Sequence, residues 1–171
     1  MSSTASRRVT TSIVLILVAF TADRVTKQWA LRELNDGSTI ELGLGVRLEL
    51  IFNPGVAFGL GADLGPPLAA GLIVVASALT AWVLWRAARG APMGGTGLLA
   101  LAAGGAAGNI WDRISRAAEG PLTGEVVDFL AIDGFAIFNV ADIFTTCGVA
   151  GWALLQVFRK DDAPTKDRRS A

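Results

Sequence analysis

The chain has 171 residues, 52% of them hydrophobic and only 18% charged, which is too apolar for an ordinary soluble domain of this length. Fifteen basic and fifteen acidic residues leave no net charge, so neither nucleic acid nor an acidic polymer is indicated as a partner. With no histidine and one cysteine, Ser-His-Asp and Cys-His catalysis, His-ligated zinc, an intrachain disulfide and a thiolate metal cluster are all excluded, which leaves carboxylate chemistry.

In chain order, the first apolar run predicts a helix from about Ile13 to Leu31, preceded by Arg7 and Arg8. A rival reading takes these arginines, Ile13 to Phe20 and "FTA" as a cleavable signal peptide; the run is short and broken by charge, so an uncleaved helix is preferred. Next, "TIELGLGVRLEL" alternates with period two, Ile40, Leu42, Leu44, Val46, Leu48 and Leu50 facing one way, which predicts a half-buried strand or hairpin bent near Gly43 and Gly45. Its apolar face is expected to rest on the membrane interface and to clamp a substrate through Leu48 and Leu50. "NPG" in "FNPGVAFG" then marks a turn.

No charge interrupts the chain between Asp63 and Arg86 or between Arg89 and Asp112. About 20 apolar residues cross a bilayer core as helix, so spans are predicted at about Pro67 to Trp85 and Gly94 to Ile114, and a fourth at Ile137 to Phe158. Arg7 and Arg8, then Arg86 and Arg89, then Arg159, Lys160, Lys166, Arg168 and Arg169 fall on one side of four spans, which makes that side, and both termini, cytoplasmic. The expected fold is therefore a membrane all-α domain over residues 1–158 with a small β element. Its four transmembrane helices carry an extracytoplasmic β-sheet at about 38–60 between the first two, and residues 159–171 form a disordered cytoplasmic tail.

Ionisable residues inside a membrane cost a few kcal/mol to insert, so each is a functional candidate until a partner explains it. Asp23 and Lys27 share a face of the first helix at a spacing that favours an ion pair. "GNIWDRI" puts Asn109, Asp112 and Arg113 on one face of the third, where an Asp112–Arg113 pair is expected, and Asn139 and Asp142 share a face of the fourth. At about 1.5 Å of rise per residue, all of these converge on the outer third of the bilayer, Asp142 in the second turn of its helix. Pairs that merely hold helices together account equally well for Asp23 with Lys27 and for Asp112 with Arg113.

Asp142 has no basic residue after it until Arg159, so it needs a cation from elsewhere or a proton. Two carboxyls close together in a low-dielectric site cannot both ionise cheaply, and a dyad sharing one proton can deprotonate water while polarising a carbonyl. Asp128, Asp133, Glu125, Asp112 and Asp23 are all possible second acids, although Asp133 before Gly134 reads as a turn. The glycines of "GGAAG", Gly104 to Gly108, read as close helix packing.

Five ordered motifs, "DRVTK", "NPGVAFG", "GNIWDR", "VVDF" and "FNVAD", resemble those of the lipoprotein signal peptidases (signal peptidase II), the membrane aspartyl proteases of bacteria. Val56 stands where that pattern leads one to expect a smaller residue. The resemblance implies Asp128 and Asp142 as the catalytic pair. By the same resemblance Asn53, Asn109, Arg113 and Asn139 are expected to hold substrate or orient the pair, Asp23, Lys27 and Asp112 to support the pocket, and Gly55 and Ala141 to bind substrate or support the pocket. It further implies a monomeric enzyme of the bacterial inner membrane, without metal or cofactor, surrounded by membrane lipid. Such an enzyme cuts lipid-modified prolipoproteins on the amino side of a diacylglyceryl cysteine near the extracytoplasmic face. A proton-coupled small membrane transporter is the alternative and an assembly subunit the third reading.

Overall fold

The computed structural model describes residues 3–56 and 60–161. Most of the chain is in four helices, α1 (Ser3–Glu33), α2 (Pro66–Ala88), α3 (Met93–Ser115) and α4 (Val140–Asp161). Strands β1 (Ile40–Gly43) and β2 (Val46–Asn53) lie between α1 and α2, and β3 (Val126–Ile132) and β4 (Ala136–Phe138) lie between α3 and α4. The four strands form one antiparallel sheet in sequence order.

By length and composition α1, α2 and the Val140–Phe158 stretch of α4 suffice to cross a membrane. Their outward faces are apolar, with Leu17, Val25, Val74, Val75 and Leu154 all exposed. On α2 the buried residues Ala69, Ala76 and Val83 recur every seventh position, a single stripe of contact that leaves the rest of an apolar helix facing out. α3 is as long as α2 but built largely of glycine and alanine, and it packs against the other three helices. Those small residues are what permit the packing. A Cβ at Gly104 would collide with the Ile16 carbonyl of α1, and one at Gly105 with the Ala141 carbonyl of α4, so the backbones touch as the glycine run predicts.

The hairpin expected from the alternating segment is present, turning at Leu44 and Gly45, both of positive φ as type I′ hairpin turns require. It is only half of the sheet. "VVDFLAI" forms β3, buried along most of its length, and Ile137 and Phe138, expected in the fourth helix, belong to β4. α4 therefore starts at Val140, and Asp142 sits in its first turn rather than its second. Leu48 and Leu50 are not a free clamp, since they pack with Leu130 and Val140 on the cluster of Ala30, Leu34 and Phe129. This seats the sheet on the end of α1. The expected disordered tail begins as helix through Asp161; residues 162–171, and Ala57, Phe58 and Gly59 of the "NPGVAFG" motif, lie outside the described residues.

Candidate active site

Asp23 and Lys27, one helical turn apart on α1, form an ion pair of 2.9 Å with both side chains fully buried. Lys27 Nζ reaches across to α3, where it pairs with Asp112 Oδ2 at 2.9 Å and donates to Asn109 Oδ1 at 2.7 Å. Gly108 allows this approach, because a Cβ there would overlap the Asp23 carboxylate. The other oxygen of Asp112 accepts from Arg24 Nη1 at 2.5 Å, and Oδ2 also takes the Val127 N–H of β3 at 3.3 Å. Asp23 Oδ1 accepts the Ala141 N–H of α4 at 3.0 Å. A buried ionic core thus joins α1, α3, β3 and α4.

Asn139 and Asp142 close the start of α4 as a reciprocal cap: the Asp142 N–H donates to Asn139 Oδ1 at 3.0 Å and the Asn139 N–H to Asp142 Oδ2 at 3.1 Å. This explains the three-residue spacing. The pairing satisfies two donors that a helix start leaves without intrahelical acceptors, and it places a carboxylate at the positive end of the helix. The Asn139 amide nitrogen remains free to donate elsewhere, to Asp128 Oδ1 at 2.6 Å and Asn109 Oδ1 at 3.1 Å. Asn109 in turn donates to Asp142 Oδ1 at 2.8 Å. Asp128 and Asp142 therefore flank one buried amide.

Asp128 reaches this place from the sheet. In the β2–β3 register it lies opposite Ile51, which makes Asn53, two residues along β2, its diagonal neighbour. Asn53 Nδ2 donates to Asp128 Oδ2 at 2.9 Å, while Asn53 Oδ1 accepts the Gly55 N–H at 2.9 Å and so shapes the turn. Arg113 of α3 holds the same turn from below, donating to the Pro54 carbonyl at 3.1 Å and to the Gly55 carbonyl. Asp128 is 2% exposed and Asp142 half-buried. Burial pushes the Asp128 carboxyl up to about 6; the Asn53 amide opposes this, the nearby charge of Asp142 adds to it, and the Asn139 amide and Lys27 oppose it.

All eleven residues expected at the site, Asp23, Lys27, Asn53, Gly55, Asn109, Asp112, Arg113, Asp128, Asn139, Ala141 and Asp142, belong to this one network. Gly55 and Ala141 enter through their backbones. The expected Asp112–Arg113 pair is absent: neighbours in a helix point about 100° apart, and the two side chains serve different elements. Of the other possible acids, Asp133 pairs with Arg47 at the β3–β4 turn and Glu125 is exposed. Arg24 is the residue that sequence reasoning missed. It stands three before Lys27, the same spacing test that linked the other pairs.

A sequence model of the family described as Signal peptidase (SPase) II matches residues 15–158. The chain belongs to the signal peptidase II family. It is 41% identical over 162 residues to the lipoprotein signal peptidase of Bifidobacterium adolescentis, covering 94% of this chain and 82% of that protein. With the lipoprotein signal peptidase of Mycobacterium tuberculosis it shares 33% identity over 157 residues, 91% of this chain and 75% of the relative. The fold matches that of a bacterial membrane enzyme solved by the in meso method, with a TM-score of 0.70, 22% identity and 94% coverage of each chain. A second such structure gives a TM-score of 0.67 at 24% identity, over 87% of this chain and 93% of the other. As a signal peptidase II the chain is an integral membrane peptidase, and the transporter reading falls away.

Proposed function

We propose that this signal peptidase II is an aspartyl endopeptidase that removes signal peptides from prolipoproteins, cutting on the amino side of the diacylglyceryl-modified cysteine, with Asp128 and Asp142 as its catalytic pair. The observation that carries this is the Asn139 side chain, which donates to Asp128 at 2.6 Å and accepts from the Asp142 N–H at 3.0 Å. Asp128, desolvated and raised, is the acid that holds the proton, and Asp142, at the positive end of α4, is the base.

In the first step the Asp142 carboxylate takes a proton from water as the oxygen attacks the scissile carbonyl carbon, and Asp128 gives its proton to the carbonyl oxygen. Collapse of the tetrahedral intermediate breaks the C–N bond. Asp142 passes its proton to the departing nitrogen, and Asp128 regains one from the diol, so both acids return to their starting states. Asn53 and Asn139 orient Asp128, Asn109 orients Asp142, and Arg113 fixes the turn that covers them.

The same reading makes residues 1–158 one domain of four spans, α3 included because it runs the length of α2 in the centre of the bundle. Arg8 donates to the carbonyls of Gly90 and Ala91 at 2.6 and 2.7 Å, so the start of α1 and the α2–α3 connection share one end, the arginine-rich cytoplasmic end. The sheet and the acids then lie near the extracytoplasmic face of the bacterial inner membrane, residues 159–171 are cytoplasmic, and a monomer suffices, with lipid as its surroundings and no nucleic acid partner. Purified protein in detergent should cleave a lipid-modified prolipoprotein, and Asp128→Asn and Asp142→Asn should each bind it and leave it whole. Cleavage by either variant would refute the pair.

A further inference from the structure

The ionisable groups of the site do not balance without Arg24. Four carboxylates, Asp23, Asp112, Asp128 and Asp142, stand against three cations, Arg24, Lys27 and Arg113. Fully ionised, the set carries one unit of negative charge, and a single proton neutralises it. Lys27 is already divided between Asp23, Asp112 and the Asn109 carbonyl oxygen. Arg113 gives hydrogen bonds to Pro54 and Gly55, not to a carboxylate. Among the described residues Arg24 alone meets Asp112 Oδ1, at 2.5 Å, from a side chain 19% exposed, while the Asp112 side chain is fully buried.

Position as well as charge links Arg24 to the reaction. Asp112 holds the Val127 N–H, one residue before Asp128, and shares Lys27 with the Asn109 amide that binds Asp142. The remaining charged groups nearby leave this balance unchanged. Arg116 stacks on Phe52, Arg47 pairs with Glu49 and Asp133, Glu119 and Glu125 are exposed, and the only charge in α2 is Arg86 in its last turn.

We infer that Arg24 is a positioning residue for peptide hydrolysis: by neutralising Asp112 it keeps the catalytic acids in the singly protonated state and holds β3 at Val127. This rests on the Asp128–Asp142 reading. Without Arg24 the singly protonated site keeps a net negative charge and binds protons more tightly. Both limbs of the pH profile then move upward, by on the order of one pH unit for one charge lost at this range in a partly screened interior.

The experiment is the pH dependence of kcat/KM for prolipoprotein cleavage by purified full-length protein and its variants. Arg24→Gln, which keeps a hydrogen bond to Asp112 but no charge, is expected to shift both limbs upward. Arg24→Lys should retain the wild-type positions. The double variant Arg24→Gln/Asp112→Asn removes one charge of each sign, and its limbs should return to the wild-type positions whatever its amplitude. Loss of activity in Arg24→Gln with unmoved limbs, or limbs that stay shifted in the double variant, would overturn the inference. If Asp128→Asn or Asp142→Asn still cleaves, the underlying pair has failed, an outcome that the Arg24 profiles do not mimic.

Discussion

Replacing Asp128 with asparagine tests the site without substrate. The folded carboxyl is raised from 3.8 to about 6, so its ionised form is disfavoured in the native state by roughly 3 kcal/mol at about 1.36 kcal/mol per pH unit. At 2% exposure little solvent screening reduces this figure. The sign follows from linkage: the raised group contributes stability that is fully present below the unfolded value near 3.8 and is lost as pH rises through about 6. An asparagine at 128 does not titrate, so the variant escapes that loss. It does turn an amide NH2 towards either Asn53 or Asn139, both of which donate to Asp128, and so forfeits about 1–3 kcal/mol at every pH.

Asp128→Asn should therefore be less stable than wild type at pH about 4 and should overtake it or draw level by pH about 7. About four-fifths of the roughly 3 kcal/mol falls between pH about 4 and pH about 7, so at about 2–4 °C per kcal/mol for a chain of this size the Tm difference should swing by roughly 5–10 °C across that window. Paired thermal scans in one detergent at one scan rate measure it, and titration of the other carboxylates largely cancels in the difference. A Tm difference independent of pH would show that Asp128 does not titrate there, and the argument for its proton would fail.

Three further outcomes follow from the same geometry. kcat/KM should fall as pH rises through about 6, where free Asp128 loses its proton, while the corresponding limb of kcat lies higher because bound substrate excludes more water; coincident limbs would contradict this. Lys27→Met strands Asp23, whose ion pair is with Lys27, and leaves Asp112 to Arg24; it should cost about 3–5 kcal/mol, read as a large drop in Tm, with part regained in Lys27→Met/Asp23→Asn. Gly105→Val drives a side chain into the Ala141 carbonyl and Thr145 of α4, so both Tm and cleavage should decline, whereas Gly71→Val, where a Cβ meets nothing, should leave both unchanged.

α2 and α3 were legible as helices because each comes from an apolar run of about 20 residues without a charge, and the shared face of Asp23 with Lys27 follows from helical periodicity alone. The β1–β2 hairpin was legible because apolar and polar residues alternate along "TIELGLGVRLEL". β3 was not. Covered on both faces, "VVDFLAI" shows no alternation that would mark a strand, and after the turn at Asp133 and Gly134 the short apolar run "FAIF" reads equally well as the first turn of the helix that follows. That error put Ile137 and Phe138 in α4 and moved Asp142 a turn too deep. Asn-x-x-Asp is itself a helix-start signal, and read as a cap it would have placed the boundary at Val140.

The cap also explains why the two acids can be assembled together though they come from different kinds of element. Asp128 is fixed by the register of β2 and β3, and Asp142 by where α4 begins. Neither constraint alone brings them together, since the β3–β4 turn lies between. Asn139 couples the two, because the side chain that caps α4 with its oxygen binds Asp128 with its nitrogen. Unwinding α4 by one turn, or slipping β3 by one residue and so turning Asp128 to the opposite face of the sheet, would break that link. The first turn of α4 and the Asp128–Asp142 pair therefore form as a single unit, with the buried ionic core of α1 and α3 holding it from beneath.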